Sequence, residues 1–188
     1  MTPPAGGPVE VREIRWNDLT DLTESYYRLY DERAAGVPIG ITLFARPPGY
    51  DEEVAWFAGV YRRALAGDLV VRVAEVDGHV VGNCMVGRVG PSAASEAGHV
   101  GELGILVHRD YRGRGIGGAL LRATLDACRG TFEIVRLSVF SINTGAAALY
   151  RRFGFVPVGR IPAAVRRGTQ YFDEDVMVLD LRAPAAKA

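Results

Sequence analysis

The sequence contains few cysteines and histidines, which narrows the chemistry open to the protein. Only two cysteines, Cys84 and Cys128, occur in 188 residues, far apart and each within an apolar pattern. This usage excludes a disulfide framework and favours buried, reduced thiols in a cytoplasmic protein. The three histidines are scattered without the spacing of metal ligands, so we expect no metal site.

Excess charge and long apolar runs are also lacking. Lys plus Arg equals Asp plus Glu, at 22 residues each, so the overall charge predicts neither a nucleic-acid nor a membrane partner. The first residues, MTPPAGGP, form a polar segment without the apolar run of a signal peptide, and no membrane span is visible further on. Recognition is therefore expected to depend on local patches.

The length and the apolar content of 48% fit one globular domain with a sizeable core. We predict this domain over residues 9–182. A disordered segment is expected at residues 1–8, and residues 183–188 are expected to form a tail.

Hydrophobic patterns predict most of the elements. Asp77-Gly78, between two apolar runs, is the strongest hairpin signal in the chain. A helix from Ile116 to Cys128 and a strand from Ile134 to Phe140 complete a βαβ unit, whose strands should be parallel. A final hairpin is expected to pair Val156 to Ile161 with Asp175 to Leu181.

A long apolar stretch, VPIGITLFARPPGY, precedes the second helix pattern. Long ordered loops in compact domains are usually functional or packed over something. The stretch is therefore predicted to be either a functional loop, such as a flap, or a loop that closes the core.

The stretch from His99 to Leu121 contains a glycine-rich loop between a strand and a helix. An apolar strand ending at Val107 is followed by a charged turn, by four glycines within six residues, and by a helix with Ile116 on its apolar face. The first amides of a helix lack helical partners and lie at the positive end of its dipole. Because glycines carry no Cβ that would hold a ligand away, this order predicts an anion site suited to a phosphate.

The glycines of this loop fit two nucleotide-binding patterns. Gly113, Gly115 and Gly118 spell G-x-G-x-x-G, the dinucleotide fingerprint of an NAD-dependent oxidoreductase. However, five residues separate the strand from the first glycine, and no acid ends the next strand. The other pattern is R-x-x-G-x-G, carried by Arg112, Gly115 and Gly117. A Walker loop is excluded because Gly-Lys-Ser/Thr is absent.

The R-x-x-G-x-G pattern closely resembles the acetyl-CoA pyrophosphate loop of the GNAT superfamily of N-acetyltransferases. Downstream, Leu137 to Asn143 and Ala146 to Phe155 are similar to the second coenzyme A-facing block of that family. The resemblance implies an α/β fold with a mixed sheet of about seven strands, a central parallel pair, and helices on both faces. It also implies acetyl-CoA as cosubstrate and acetyl transfer to a primary amine by direct attack in a ternary complex.

The resemblance further assigns roles to individual residues. One strand segment would bind the pantetheine arm where the central strands separate, the glycine loop would bind the diphosphate, and an asparagine would contact coenzyme A. These cofactor-binding positions are Ile105, Leu106, Val107, Arg112, Gly113, Arg114, Gly115, Ile116, Gly117 and Asn143. Tyr150 would be the general acid, since a phenol stays protonated at neutral pH. Glu102 would be the base, directly or through water.

Each side chain singled out also has a purely structural interpretation. The two arginines fit a solvated surface, and Glu102 fits a surface ion pair. Asn143 fits a helix N-cap, a position that favours asparagine. Tyr150 shares a helical face with Ala146, Leu149 and Phe153, as a core aromatic would.

The sequence leaves the acceptor and the functional class open. An amino acid, a protein N-terminus or lysine, and a polyamine are all compatible with the pattern near the C-terminus. The oligomeric state is also left open, with a homodimer as one alternative. A non-catalytic module that binds or senses acyl-CoA would keep the glycine loop but lack a working proton donor and base. No cysteine or serine stands out as a covalent relay, which favours direct attack over a ping-pong route.

Overall fold

A computed structural model describes residues 7–37 and 39–182 of the chain. Most of the predicted N-terminal segment and the whole predicted tail lie outside the described residues. The described part forms seven strands and four helices. In chain order they are β1 Glu10–Glu13, α1 Leu19–Ala34, α2 Tyr50–Leu65, β2 Leu69–Val76, β3 His79–Arg88, β4 Val100–Val107, α3 Ile116–Cys128, β5 Ile134–Phe140, α4 Thr144–Arg152, β6 Val156–Arg167 and β7 Gln170–Asp180.

The strands form one mixed sheet in the order β1-β2-β3-β4-β5-β7-β6. Strands β4 and β5 are parallel and all other neighbours are antiparallel. The predicted fold class, a mixed sheet of about seven strands with a central parallel pair, is therefore confirmed. Helix α3 connects the parallel pair, as a crossover must when two parallel strands are neighbours.

Helices cover both faces of the sheet, because each presents an apolar stripe. On one face, Phe57 of α2 is fully buried beside Leu22 of α1 and Val73 of β2. On the other face, Leu120 and Leu121 of α3 are fully buried in a larger cluster that also includes residues of α4. Within the described residues, no helix has both the length and the apolarity needed to cross a membrane.

Local sequence signals predicted the first hairpin correctly but not the full length of the last one. Asp77 and Gly78 both have positive φ, 51° and 80°, as a two-residue type I′ turn requires. The last hairpin is longer than predicted, because β6 runs on to Arg167 and β7 starts at Gln170. Nearly all of β6 is exposed, so its sequence lacks the alternation that marks a half-buried strand.

The described residues between α1 and α2 form no regular structure but are tied to their neighbours. Arg167 of β6 donates to the carbonyls of Ile39 and Ile41, at 2.9 and 2.7 Å. Two tyrosine hydroxyls of α1 donate to carbonyls of the same segment, Tyr27 to Pro48 at 2.9 Å and Tyr30 to Arg46 at 3.0 Å. The segment is therefore held by hydrogen bonds from β6 and from α1.

Candidate active site

The two parallel strands separate along their length. Strand β4 pairs with β5 only over Val100–Glu102, whereas β5 pairs with β7 along its whole length. Beyond Glu102, β4 keeps only β3 as a partner. The gap between the two parallel strands therefore opens directly after Glu102.

The backbone of β4 directs unpaired groups into this gap. His108 donates its N–H to the carbonyl of Val81 in β3, at 2.8 Å. Because hydrogen-bonding directions alternate along an antiparallel strand, Leu106 also faces β3, while Ile105 and Val107 face the gap. The Val107 carbonyl accepts a hydrogen bond from Arg112 Nε at 2.9 Å. Because the N–H and C=O groups of Ile105 face the gap and have no partner among the described residues, they are free to bind an extended chain.

The glycine loop beside the gap presents a row of free amides. Gly113 and Gly115 have φ of 78° and 81°, in the left-handed region, and an added Cβ at either position would meet no protein atom within 4 Å. Among the described residues, no acceptor bonds the backbone N–H groups of residues 113–118, and the first to bond back is that of Ala119, to Gly115 O at 3.1 Å. Such a concave row at a helix start binds anions.

Two arginines flank these amides, and their environments differ. Arg112 forms an ion pair with the buried Glu32 of α1, at 2.8 and 3.2 Å, in addition to its bond to Val107. The expected positive charge beside the loop is therefore largely neutralised at Arg112. The guanidinium of Arg114 is exposed and lies 5.3 Å from the centre of the Tyr111 ring, and no carboxylate of the described residues pairs with it.

A cavity of about 360 Å³ lies in the strand gap, and we call it the gap cavity. Asn143 lines it and also caps α4, since its Oδ1 accepts the Ala146 N–H at 3.2 Å. Tyr150 lines it from α4 with 7% of its surface exposed. Burial raises the pKa of Tyr150 to about 12, with a smaller contribution from Cys84. Other lining residues are Ile105, Leu106, Val107, Arg112, Ser138 and Val139.

A second cavity of about 680 Å³ lies on the face of the sheet that α1 and α2 cover, and we call it the helix-side cavity. Ile41, Ile105 and Leu106 line both cavities, so the two spaces meet at β4. The segment from Ile39 to Pro48 contributes to both. The stretch predicted as a flap or a closing loop thus lies where a ligand of either cavity would contact it.

Two acids show the limits of the sequence interpretation. Glu102, predicted as the base, has a half-exposed side chain that pairs with Arg136 at 2.9 Å, and it lines neither cavity. The structure therefore does not bring Glu102 together with Tyr150. Glu53, an acid in the first turn of α2 to which the sequence analysis assigned no role, lines the helix-side cavity with 5% of its surface exposed. Its spacing from Phe57 and Val60 in α2 was the available signal for burial.

Other chemistries find less support in the geometry. In the described part of the chain, no three His, Cys, Asp or Glu side chains lie close enough to hold a metal ion. The dinucleotide pattern needs a strand leading directly into its first glycine, but the short 3-10 turn Arg109–Tyr111 lies between β4 and Gly113.

The fold and the loop together define the class of protein. A mixed sheet whose central parallel strands separate beside a row of free helix-start amides is suited to binding an extended cofactor that carries phosphate groups. The chain belongs to the acetyltransferase (GNAT) family, whose profile matches residues 10–155. The predicted family is therefore confirmed.

Three similar proteins illustrate the relationship. L-amino acid N-acetyltransferase AaaT of Escherichia coli is 29% identical over 103 residues, which cover 54% of this chain and 62% of AaaT. N-alpha-acetyltransferase RimI of Mycobacterium tuberculosis is 39% identical over 105 residues, 55% of this chain and 63% of RimI. The chain thus spans less than two thirds of either relative. The structure of YncA from Salmonella typhimurium with acetyl-CoA has a TM-score of 0.78 at 22% identity, covering 97% of this chain and 99% of YncA.

Proposed function

We propose that the protein transfers an acetyl group from acetyl-CoA to a primary amine. The observation that carries the proposal is the row of amides at residues 113–118, unbonded within the described part of the chain, which lies beside a strand gap lined by Tyr150. The amides suit a diphosphate, and the gap suits an extended chain that carries amide groups. Coenzyme A combines these two features in one molecule.

The residues present fit acetyl-CoA at each of its parts. The loop amides and the exposed guanidinium of Arg114 bind the diphosphate. The carbonyl of Ile105 and the N–H of Val107, which both face the gap, bind the pantetheine arm, and Asn143 contacts it from the start of α4. Arg112 acts differently from the expectation, because its contacts with Glu32 and Val107 fix the end of β4 against α1. Acetyl-CoA supplies the thioester from which the acetyl group is transferred.

The chain supports the chemistry at two points. The backbone N–H of Ile105 donates a hydrogen bond to the acetyl oxygen as negative charge develops there. Tyr150 donates its proton to the departing sulfur, because its raised pKa keeps the phenol protonated over the whole range in which amines react. The proton of the attacking amine passes to water in this proposal, since Glu102 is directed towards Arg136 and not into a cavity.

The two cysteines support direct attack on the thioester. Cys84 and Cys128 are free and buried, and burial raises the pKa of each thiol to about 12. Neither thiolate is available near neutral pH as a covalent relay. Two buried, reduced thiols also support a cytoplasmic location.

This burial gives a testable prediction about thiol reactivity. In the folded protein at pH 8, both cysteines should react with dithiodipyridine at least about a hundredfold more slowly than free cysteine, because a thiol reacts as its thiolate. After unfolding in guanidinium chloride, both should react rapidly. Rapid modification of the folded protein at either position would contradict the burial and reopen the ping-pong route.

The acceptor is a primary amine of one of three kinds: an amino acid, a protein N-terminus or lysine, or a polyamine. The names of AaaT and RimI support the first two kinds. The proposal is tested by release of free thiol from acetyl-CoA, measured against amino acids, peptides, polyamines and aminoglycosides. Thiol release that requires one of these amines is the expected result. Coenzyme A binding without release across the whole panel would instead indicate a sensing module.

A further inference from the structure

Glu53 is a buried acid in the helix-side cavity, and none of the residues that the structure describes pairs with its carboxylate. Its side chain projects from α2 into a space with predominantly apolar walls, lined by Leu22, Tyr26, Trp56, Met85 and Leu106. Among the described residues, no group donates a hydrogen bond to its carboxylate and no cation pairs with it. Burial raises the pKa of Glu53, and the neighbouring Glu52 adds to the effect. Charged groups in such surroundings are normally paired.

The charged and titratable groups around Glu53 do not supply a partner. On α1, Tyr26 and Tyr27 lie near it as neutral phenols whose own pKa values are raised. On α2, Glu52 repels it. Arg46, in the segment between the two helices, is a cation of this cavity, but its guanidinium is bonded to Glu52 at 3.0 and 3.3 Å. Apart from the positive end of α2 itself, no cationic side chain of the described residues therefore compensates the negative charge of Glu53.

We propose that Glu53 binds the ammonium group of the acceptor, and that the accepted amine carries an apolar substituent and no carboxylate. The inference rests on the proposed function, because it takes the helix-side cavity as the acceptor's site, next to the gap cavity at Ile105 and Leu106. The apolar walls favour the substituent through the hydrophobic effect. A carboxylate on the acceptor would be repelled by Glu53, and the one arginine that lines the cavity is already paired.

The test uses Glu53→Gln, which keeps the shape of the side chain and removes its charge. Asp51→Asn is the matched control, since it removes the same charge from an exposed position in the first turn of the same helix. With phenethylamine as acceptor, Glu53→Gln should raise the KM for the amine at least tenfold. The KM for acetyl-CoA should stay within about threefold, and kcat should change less than the amine KM. Asp51→Asn should leave all three values near those of the wild type.

A second comparison tests the nature of the acceptor. Phenylalaninamide should have a kcat/KM at least tenfold higher than phenylalanine, and the ratio should shrink in Glu53→Gln because the repelling charge is gone. An unchanged amine KM in Glu53→Gln would overturn the proposal, and so would equal use of the amide and the free amino acid.

Failure of the inference can be separated from failure of the proposed function. If the wild type releases no thiol with any amine, calorimetric titration with phenethylamine still measures how tightly the helix-side cavity binds the amine. Binding that weakens at least tenfold in Glu53→Gln would support the inference without catalysis, and equal binding by both proteins would overturn it.

The unfolding midpoint gives an independent check. A carboxyl group whose pKa is raised by folding destabilises the folded state when it ionises, so stability falls as the pH rises through that pKa. Without amine, Glu53→Gln should therefore unfold at a higher temperature than the wild type at pH 8, and the gain should vanish below about pH 4. A lower midpoint at pH 8 would show that the carboxylate has a partner, and would overturn the proposal.

Discussion

Replacing Gly115 by aspartate is expected to weaken acetyl-CoA binding about a hundredfold. Gly115 has φ of 81°, and aspartate is among the residues that tolerate this region best, so the backbone can keep its course. The new carboxylate would lie beside the free amides where we place the diphosphate. Like charges about 4 Å apart repel by roughly 1 to 4 kcal/mol between the dielectric limits of water and a protein surface. A loss of about 3 kcal/mol corresponds to roughly two powers of ten in affinity.

The matched control for this prediction is Gly115→Asn, which has the same shape and the same tolerance of positive φ but no charge. It should weaken binding by less than about tenfold, through lost space alone. Affinity is measured by calorimetric titration with acetyl-CoA at low ionic strength, with the unfolding midpoint of each variant as a check on folding. Equal affinities of the two variants would mean that the diphosphate binds elsewhere. A difference that shrinks in high salt would support the loop.

The central βαβ unit could be predicted closely because its signals are local. The glycine loop and the apolar spacing of α3 fixed its start at Ile116, and the structure ends it at Cys128 as predicted. Strand β5 also has the predicted bounds, Ile134–Phe140. Each of these elements is specified by residues within one or two turns of itself. The family, too, followed from motifs within this part of the chain.

The parts that escaped prediction depend on contacts between distant residues. Arg112 pairs with Glu32, 80 residues earlier, and no residue near Arg112 in the sequence indicates that the two will pair. Arg167 ties the end of β6 to the segment around Ile39, which lies 128 residues away. The open end of the strand gap also depends on where three strands from different parts of the chain diverge. Local patterns specify helices and turns, but not which charged groups meet.

Glu53 shows a related limit within a single helix. Three consecutive acids, Asp51, Glu52 and Glu53, favour a helix start because they lie at its positive end. That interpretation applies equally to all three acids, so it does not predict that Glu53 alone is buried. The packing of α2 against α1 and the sheet leaves Asp51 exposed and buries Glu53. A helical-phase count from Phe57 would have identified it, because residues four apart share a face.

Replacing Tyr150 by phenylalanine is expected to lower kcat roughly a hundredfold while leaving acetyl-CoA affinity nearly unchanged. The ring of Tyr150 packs edge-on against Phe155, 5.8 Å away between centres, and phenylalanine keeps that contact. Only the hydroxyl group in the gap cavity is lost. A positioned general acid contributes about 10² to 10⁴ in rate, so the loss should fall on turnover and not on binding.

The pH dependence sharpens this expectation. Burial raises the pKa of Tyr150 to about 12, so the phenol keeps its proton throughout an assay between about pH 6 and 10. The wild-type kcat should therefore show no fall on the alkaline side of this range, whereas an acid with an ordinary thiol-like pKa would lose its proton there. A fall in kcat centred below pH 10 would assign the proton donor to another group.

Tyr61→Phe is the matched control, because it removes a phenol that stacks on Phe57 in α2 and lines neither cavity. Its turnover should stay within about twofold of the wild type, since an exchange away from the reacting groups leaves the transition state unchanged. If Tyr150→Phe and Tyr61→Phe turn over alike, Tyr150 is a packing residue of α4 and the sulfur takes its proton from water. A loss confined to Tyr150→Phe, with acetyl-CoA affinity retained, places the donor hydroxyl beside the leaving sulfur.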